Sequence, residues 1–365
     1  MEPLCKYFNI CSGCTSQHID YQLQLKNKKD KIVNKLKFND ILVFSENEYY
    51  YRNRMDFIFH QKNIGLRKKN GHIVDIELCV IAKKETNNLL QEVKTFFKNV
   101  DTFDIKAQIG TFRYLVIRTP KNDSSISFVL NSKSPKLSES IEKIKQFTKS
   151  TTAKNVIITY TLPKDENNTS DDFFVVKGNE FLKETYLEKE FYYSVQGFFQ
   201  NNSIIAEKMQ IYCNDLLKQY NTKESCLLDV YGGVGTFGII NSNLFKSVII
   251  IENDKNCIIA AKKNIIHNKV SNVKVFDLDA KSISKLQLKN EIFMILDPPR
   301  TGLHQKTIEH INKLKPKLII YISCSIDNLA KDIKKLKFYK IKSVALFDLF
   351  PQTNHCETIV ELIKN

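Results

Sequence analysis

No apolar run in this chain approaches the roughly 18 residues needed to cross a bilayer. The opening "MEPLCKYFN" has neither the basic stretch nor the apolar core of a secretory signal, so a cytoplasmic protein without membrane contact is expected. Without an oxidising destination, nine cysteines in 365 residues read as metal ligands, nucleophiles or core residues rather than disulfides. No internal repeat occurs, and low complexity is confined to the loop "DENNTSDD" at 165–172. Acidic residues are in deficit: 40 Asp and Glu against 55 Lys and Arg leave a net charge of +15. That field favours a polyanion, with nucleic acid first in line, and no feature calls for an obligate protein partner.

With 42% hydrophobic and 26% charged residues the chain has the balance of a globular protein of two or three domains. Its patterning changes twice. Residues 1–35 hold three cysteines and then "YQLQLKNKKDKIVNKLK", where Leu23, Leu25, Ile32, Val33 and Leu36 line one side of a basic helix. From 36 to 188 come short alternating runs such as "YRNRMDFIFH", "FRYLVIRTP", "SISFVLN", "NVIITYTL" and "DFFVVKG", with a hairpin signal at "KNDSS" and a helix near "NNLLQEVKTFFKN". A mostly antiparallel central α+β domain is expected there. From 189 to 365 the apolar, β-branched runs "CLLDVY", "SVIIIE", "NVKVF", "EIFMIL" and "KLIIYI" are separated by helix-length segments, the pattern of a parallel α/β sheet. The last two runs, "YKIKSVALFDLF" and "CETIVELIK", lie too close together for a crossover helix and should pair antiparallel.

The chemistry gathers at the ends of those strands. In "LDVYGGVGTFG", Asp229, Gly232, Gly233 and Gly235 follow the first strand, where glycine lets backbone approach a nucleotide-like ligand. Glu252 ends the second strand, where a carboxylate can accept ribose hydroxyls; Asp279 follows the third and Asp297 ends the fourth. The loop is not the pyrophosphate-cradling G-x-G-x-x-G, so S-adenosylmethionine, cationic and free of phosphate, fits better than a dinucleotide. At the fifth strand end "ISCSID" places Cys324. A thiolate there can add to C6 of a pyrimidine and turn C5 into a carbon nucleophile. Removal of the C5 proton then needs a base, and "FPQTNHCETIV" supplies Glu357 and His355 beside the same edge.

Near the N-terminus Cys5, Cys11 and Cys14, with a distant Cys79, offer four thiolates that suit either zinc or a [4Fe-4S] cluster. Cys213, Cys226 and Cys257 read as packing residues, and Cys356 should face away from Glu357. Arg52, Arg54, Arg113 and Arg118 are candidates for RNA phosphate contacts.

The motifs "FFQNN", "LDVYGGVGTFG", "LDPPRTG", "YISCSIDNLAKD" and "FPQTNHCETIVEL", in that order, resemble the RNA uridine-5-methyltransferase family, which makes 5-methyluridine in tRNA and 23S rRNA. The resemblance implies a Rossmann-like methyltransferase domain at 189–365. It implies Cys324 as nucleophile, Glu357 as base, and cofactor contacts from Gln200, Tyr231, Glu252, Asp279 and Asp297. It also tips the Cys5, Cys11, Cys14 and Cys79 set to a [4Fe-4S] cluster over zinc. Thr236 stands where the family often has asparagine, and "YRNRMDF" looks closest to archaeal-type members without an appended N-terminal barrel. A tRNA T-loop uridine is expected ahead of 23S rRNA. The competing readings are a cytosine-C5 or other nucleic-acid methylase, whose usual proline-cysteine or threonine-cysteine context is absent at "ISCS", and a non-catalytic RNA-binding relative.

Overall fold

Leu25 and Ile32, seven residues apart, are buried on one side of helix α1 (Tyr21–Leu36), with Val33 and Leu36 half-buried beside them. Leu23 is 47% exposed and does not join that stripe, whereas Lys28 is buried on it. The computed structural model describes residues 1–61, 63–288 and 290–365. Contacts divide the chain into two units: Met1–Asp20, Asn47–Glu184 and Ser194–Ser203 form the first, and Tyr21–Glu46, Thr185–Tyr193 and Ile204–Asn365 the second. The expected boundaries at 35 and 188 therefore need correction. The cysteine segment and the basic helix belong to different units.

After α1 and the short strand β1 (Ile41–Phe44), the chain enters the first unit through β2 (Arg54–His60), β3 (Asn63–Arg67), β4 (Ile73–Asp75) and α2 (Lys84–Phe96). It continues with β5 (Phe112–Arg118), β6 (Ser125–Asn131), α3 (Leu137–Phe147), β7 (Asn155–Thr161) and β8 (Phe173–Lys177). The strands form a seven-stranded sheet ordered β4-β3-β2-β5-β6-β7-β8. Every neighbouring pair is antiparallel except β6 and β7, which α3 joins as a crossover. Its core is aromatic: Phe97 sits 4.8 Å from Phe128 and 5.2 Å from Phe147 between ring centroids, in tilted and edge-on arrangements that suit the ring quadrupoles.

A two-stranded ribbon follows, β9 (Phe181–Tyr186) and β10 (Lys189–Ser194), turning at Leu187 and Glu188, both at positive φ. The second unit then runs through α4 (Ser203–Lys218), β11 (Cys226–Val230), α5 (Thr236–Ile240), β12 (Ser247–Glu252), α6 (Lys255–His267) and β13 (Val273–Asp277). It closes with β14 (Ile292–Leu296), α7 (Gln305–Leu314), β15 (Leu318–Ser323), α8 (Ile326–Lys335), β16 (Tyr339–Phe347) and β17 (Glu357–Lys364). The eight strands are ordered β1-β16-β17-β15-β14-β11-β12-β13. All pair in parallel save β17, which runs antiparallel to both β15 and β16. This is the Rossmann-like methyltransferase sheet. Strand order reverses between β11 and β14, and a sheet of this kind binds its ligand outside the carboxyl ends of the strands at such a switch point.

Candidate active site

The loop after β11 begins with Tyr231 at φ 62° and turns through Gly233 and Gly235 at φ 54° and 86°. A Cβ on Gly232 would stand 2.7 Å from Ile250 Cγ2, so only glycine lets the loop lie against β12. At Gly233, by contrast, a Cβ meets nothing within 4 Å, and the backbone faces open space. Glu252, the last residue of β12, accepts from the amides of Gly233 (2.9 Å), Asn253 (2.8 Å) and Asp254 (2.9 Å). Its carboxylate is held still at the rim of the loop. Asp279 caps the turn after β13, accepting from the Lys281 amide at 2.8 Å, and that hydrogen bond holds its carboxyl below the usual range.

Asp229 is buried, with Oδ2 accepting from the Gly238 amide at 2.8 Å and Oδ1 without a hydrogen-bond partner among the described residues. Burial pushes its carboxyl up to about 7. Asp297, half-buried at the end of β14, is also pushed up to about 7, by burial and then by the Asp229 charge. Two carboxyls that resist ionisation beside an open glycine loop fit a cationic ligand, which would restore both charges. The methyl donor expected from sequence carries such a charge.

Cys324 occupies the two-residue turn between β15 and α8. It is half-buried, and the following Ser325 starts the helix, so the positive end of the α8 dipole lies beside the thiol. Burial and the charges of Glu357 and Asp297 raise the thiol, while the Arg300 guanidinium lowers it. Glu357, only 7% exposed, opens β17 in register with Phe347. Burial and the Asp297 charge lift its carboxyl well above the ordinary value, again opposed by Arg300. His355 is exposed, and partial desolvation with nearby Arg300, Lys28 and Lys31 lowers its pKa. Cys356 packs against the core of the second unit, and burial pushes its thiol up to about 11.

The fold thus brings Cys324, Glu357 and Asp297 within electrostatic reach of one another. Gln200 lies in the first unit, its carbonyl accepting from the Asn53 side chain at 3.1 Å. Arg300 carries more of the site than the sequence reading gave it. Its loop is pinned by α8: Asn328 donates to the Arg300 carbonyl at 2.6 Å, and Asp332 accepts from the Leu303 amide at 2.8 Å. Gly302, at φ 79°, is required there, because a Cβ would stand 2.6 Å from Asp332 Oδ2. The arginine of "LDPPR" is the sequence signal for it.

In the first unit, Cys5, Cys11, Cys14 and Cys79 line one cavity of about 640 Å³. Among the described residues, no group of three or more His, Cys, Asp or Glu is gathered closely enough to hold a metal ion, so the expected four-thiolate site is a shared cavity rather than an assembled ligand set. Burial, with charge from the other three thiols, pushes Cys14 up to about 12. The arginines also need correction. Arg113 and Arg118 are 4% and 2% exposed, Arg113 donating to the carbonyls of Leu162 and Asp165 and Arg118 to Gly197 at 2.7 Å. They hold loops in place and do not present guanidinium groups to a phosphate. Among the described residues no helix is long and apolar enough to cross a membrane.

A model of the tRNA (uracil-5-)-methyltransferase family matches residues 20–365. The chain belongs to that family. It is an S-adenosylmethionine-dependent RNA (uracil-5-)methyltransferase. The enzyme is 30% identical to the tRNA (uracil(54)-C(5))-methyltransferase of Pyrococcus horikoshii over 98% of its own length and 85% of the relative's. It is 31% identical to an uncharacterised RNA methyltransferase of Nanoarchaeum equitans, over 99% and 80%. The solved tRNA (uracil-54, C5)-methyltransferase of Pyrococcus abyssi, in complex with S-adenosyl-L-homocysteine, superposes with a TM-score of 0.83 at 27% identity, over 97% of this enzyme and 86% of that chain.

Proposed function

We propose that the enzyme methylates C5 of uridine 54 in the T loop of tRNA in the cytoplasm, with Cys324 as nucleophile and Glu357 as base. The observation that carries this reading is the convergence of Cys324, Glu357, Asp297 and Arg300 at one sheet edge. The choice of tRNA over 23S rRNA rests on the names of the Pyrococcus relatives. Tyr231, Glu252, Asp279 and Asp297 hold the methyl donor. When bound, S-adenosylmethionine supplies an electrophilic sulfonium methyl and departs as a neutral thioether.

The chain's own residues do the rest. The target base leaves its stack to reach the thiol. The Cys324 thiolate adds to C6, the C5=C6 electron pair shifting toward the C4 oxygen so that C5 becomes nucleophilic. C5 takes the methyl group. Glu357 then removes the C5 proton, the C5=C6 double bond re-forms, and the Cys324–C6 bond breaks to return the thiolate. The test is incubation of the full-length protein with methyl-labelled S-adenosylmethionine and unmodified tRNA or rRNA, with nucleoside analysis of the product. Label in tRNA as 5-methyluridine is the expected result; label confined to 23S rRNA overturns the choice of substrate.

The acid pair predicts how the methyl donor binds. Asp229 and Asp297 hold folded-state values near 7, above the ordinary carboxyl value, so their ionised forms are disfavoured and their protons are taken up as pH falls below 7. Affinity for the cationic S-adenosylmethionine should fall by about tenfold between pH 8 and pH 6, and affinity for S-adenosylhomocysteine, whose sulfur carries no charge, much less. Calorimetric titration with both ligands checks this, and equal pH dependence for the two would remove the carboxylates from the sulfonium's surroundings.

In the first unit, Cys5, Cys11, Cys14 and Cys79 hold a [4Fe-4S] cluster. The support is the donor set: four thiols around one cavity, with burial and the neighbouring thiol charges raising Cys14 and Cys79, a repulsion that bound iron would remove. Cys79→Ser should lose iron and the broad visible absorbance and lower the melting temperature. Full iron content in that variant would end the assignment.

A further inference from the structure

We propose that helix α1 is a positioning element for the proton-abstraction step, with Lys28 fixing, through Asp348, the loop that ends in Glu357. The proposal rests on the reading of Glu357 as the base. Between β16 and β17 the residues 348–356 form neither helix nor strand, and Glu357 is the first residue past them. That loop is held by one face of α1. Lys28 Nζ lies 2.6 Å from Asp348 Oδ1, with the two side chains 5% and 0% exposed. The same ammonium donates to the Phe350 carbonyl at 3.3 Å. Tyr21 donates its hydroxyl to Asp348 Oδ2 at 2.8 Å, and Gln24 Nε2 donates to Gln352 Oε1 at 3.0 Å.

Two features separate this arrangement from ordinary docking. The apolar residues Leu25 and Ile32 already bury the helix, and a buried ion pair contributes little stability beyond what apolar residues of the same size would give. What it adds is a defined geometry. Gln352, held by Gln24, is buried at φ 66°, a left-handed conformation that a non-glycine side chain keeps only where its surroundings impose it. The backbone amide of Asp348 also donates to the Phe44 carbonyl at 2.9 Å, at the end of β1. The loop is therefore anchored at its first residue by strand and helix together, and at Gln352 by the helix again, five residues before the base.

The test uses the full-length double variant Lys28→Met with Asp348→Leu, which removes both charges and leaves neither unpaired. The expected result is a kcat lower by ~10- to 100-fold, kcat/KM for RNA and for S-adenosylmethionine nearly unchanged, and a covalent protein–RNA adduct that persists on a denaturing gel. Loss of packing alone would lower the melting temperature without trapping adduct. Glu357→Gln is run beside it. If Glu357→Gln traps adduct while the double variant turns over like the unmodified enzyme, the positioning role is overturned and the base stands. If Glu357→Gln traps none, the base assignment falls and this proposal falls with it. Should the double variant fail to fold, Tyr21→Phe, which removes one hydrogen bond from Asp348, is expected to trap a smaller amount of adduct, and none would overturn the proposal.

Discussion

Cys324→Ala is expected to abolish 5-methyluridine formation, lowering single-turnover rate by at least roughly 10⁴-fold, while S-adenosylmethionine still binds. The reason is electronic. C5 of uracil does not attack a methyl group until the ring is made electron-rich, and an alanine cannot form the bond to C6 that does this. Cys324 stands at the C-terminal edge of the sheet with α8 starting beside it, and Arg300 is the cation that offsets burial and the neighbouring carboxylates. Because those influences leave the thiol raised, adduct formation in the unmodified enzyme should climb with pH, about tenfold per unit below the thiol's pKa, as the thiolate fraction grows. Rapid-quench measurement of labelled product settles both points. Residual methylation by the alanine variant at even a few per cent of the normal rate would place the nucleophile elsewhere.

Glu357→Gln should stop the reaction one step later. The amide keeps the shape of the side chain but cannot take the C5 proton, so methylated RNA stays bonded to Cys324 and turnover falls by on the order of 10² to 10⁴. The carboxyl is suited to the task by its surroundings. Burial holds it well above the ordinary value, which makes it a stronger base than an exposed glutamate once it is ionised, and Arg300 limits how far the shift goes. The readout is a slow-migrating band on a denaturing gel that carries both protein and methyl label. An unmethylated adduct, or none, would show that Glu357 acts before methyl transfer or not at all.

Much of the catalytic unit is visible in the sequence because its strands are buried on both faces. "SVIIIE" coincides with β12 to the residue, and the nearness of the last two apolar runs correctly implies the antiparallel β17. That geometry puts Glu357 and Cys324 at one edge. What stays hidden depends on partners far away along the chain. Arg113 and Arg118 look like exposed strand cations, and only carbonyls 49 and 79 residues distant reveal them as buried struts. Lys28 looks like one more solvated lysine in a basic helix until Asp348 meets it. Helix α3 is hard to read from sequence because lysines and serines interrupt its apolar positions, although Ile144 and Phe147 are buried. Arg300 ends the "LDPPR" motif, yet its effect on Cys324, Glu357 and His355 follows from three segments meeting in space.

The pairing of Ile41 with Val344, and of Lys28 with a residue 320 positions later, also sets an order of events during synthesis. Every strand of the first unit's seven-stranded sheet has been made by Lys177, so that sheet can close while the ribosome is still translating. The eight-stranded sheet has its edge strand, β1, translated long before that strand's partner, β16. Until β16 and the loop after it are made, β1 lacks its strand partner and Lys28 the carboxylate that it meets in the folded unit. A chain that stalls after α8 carries Cys324 with no Glu357, so the thiol and its counterpart come together only once β17 has been made.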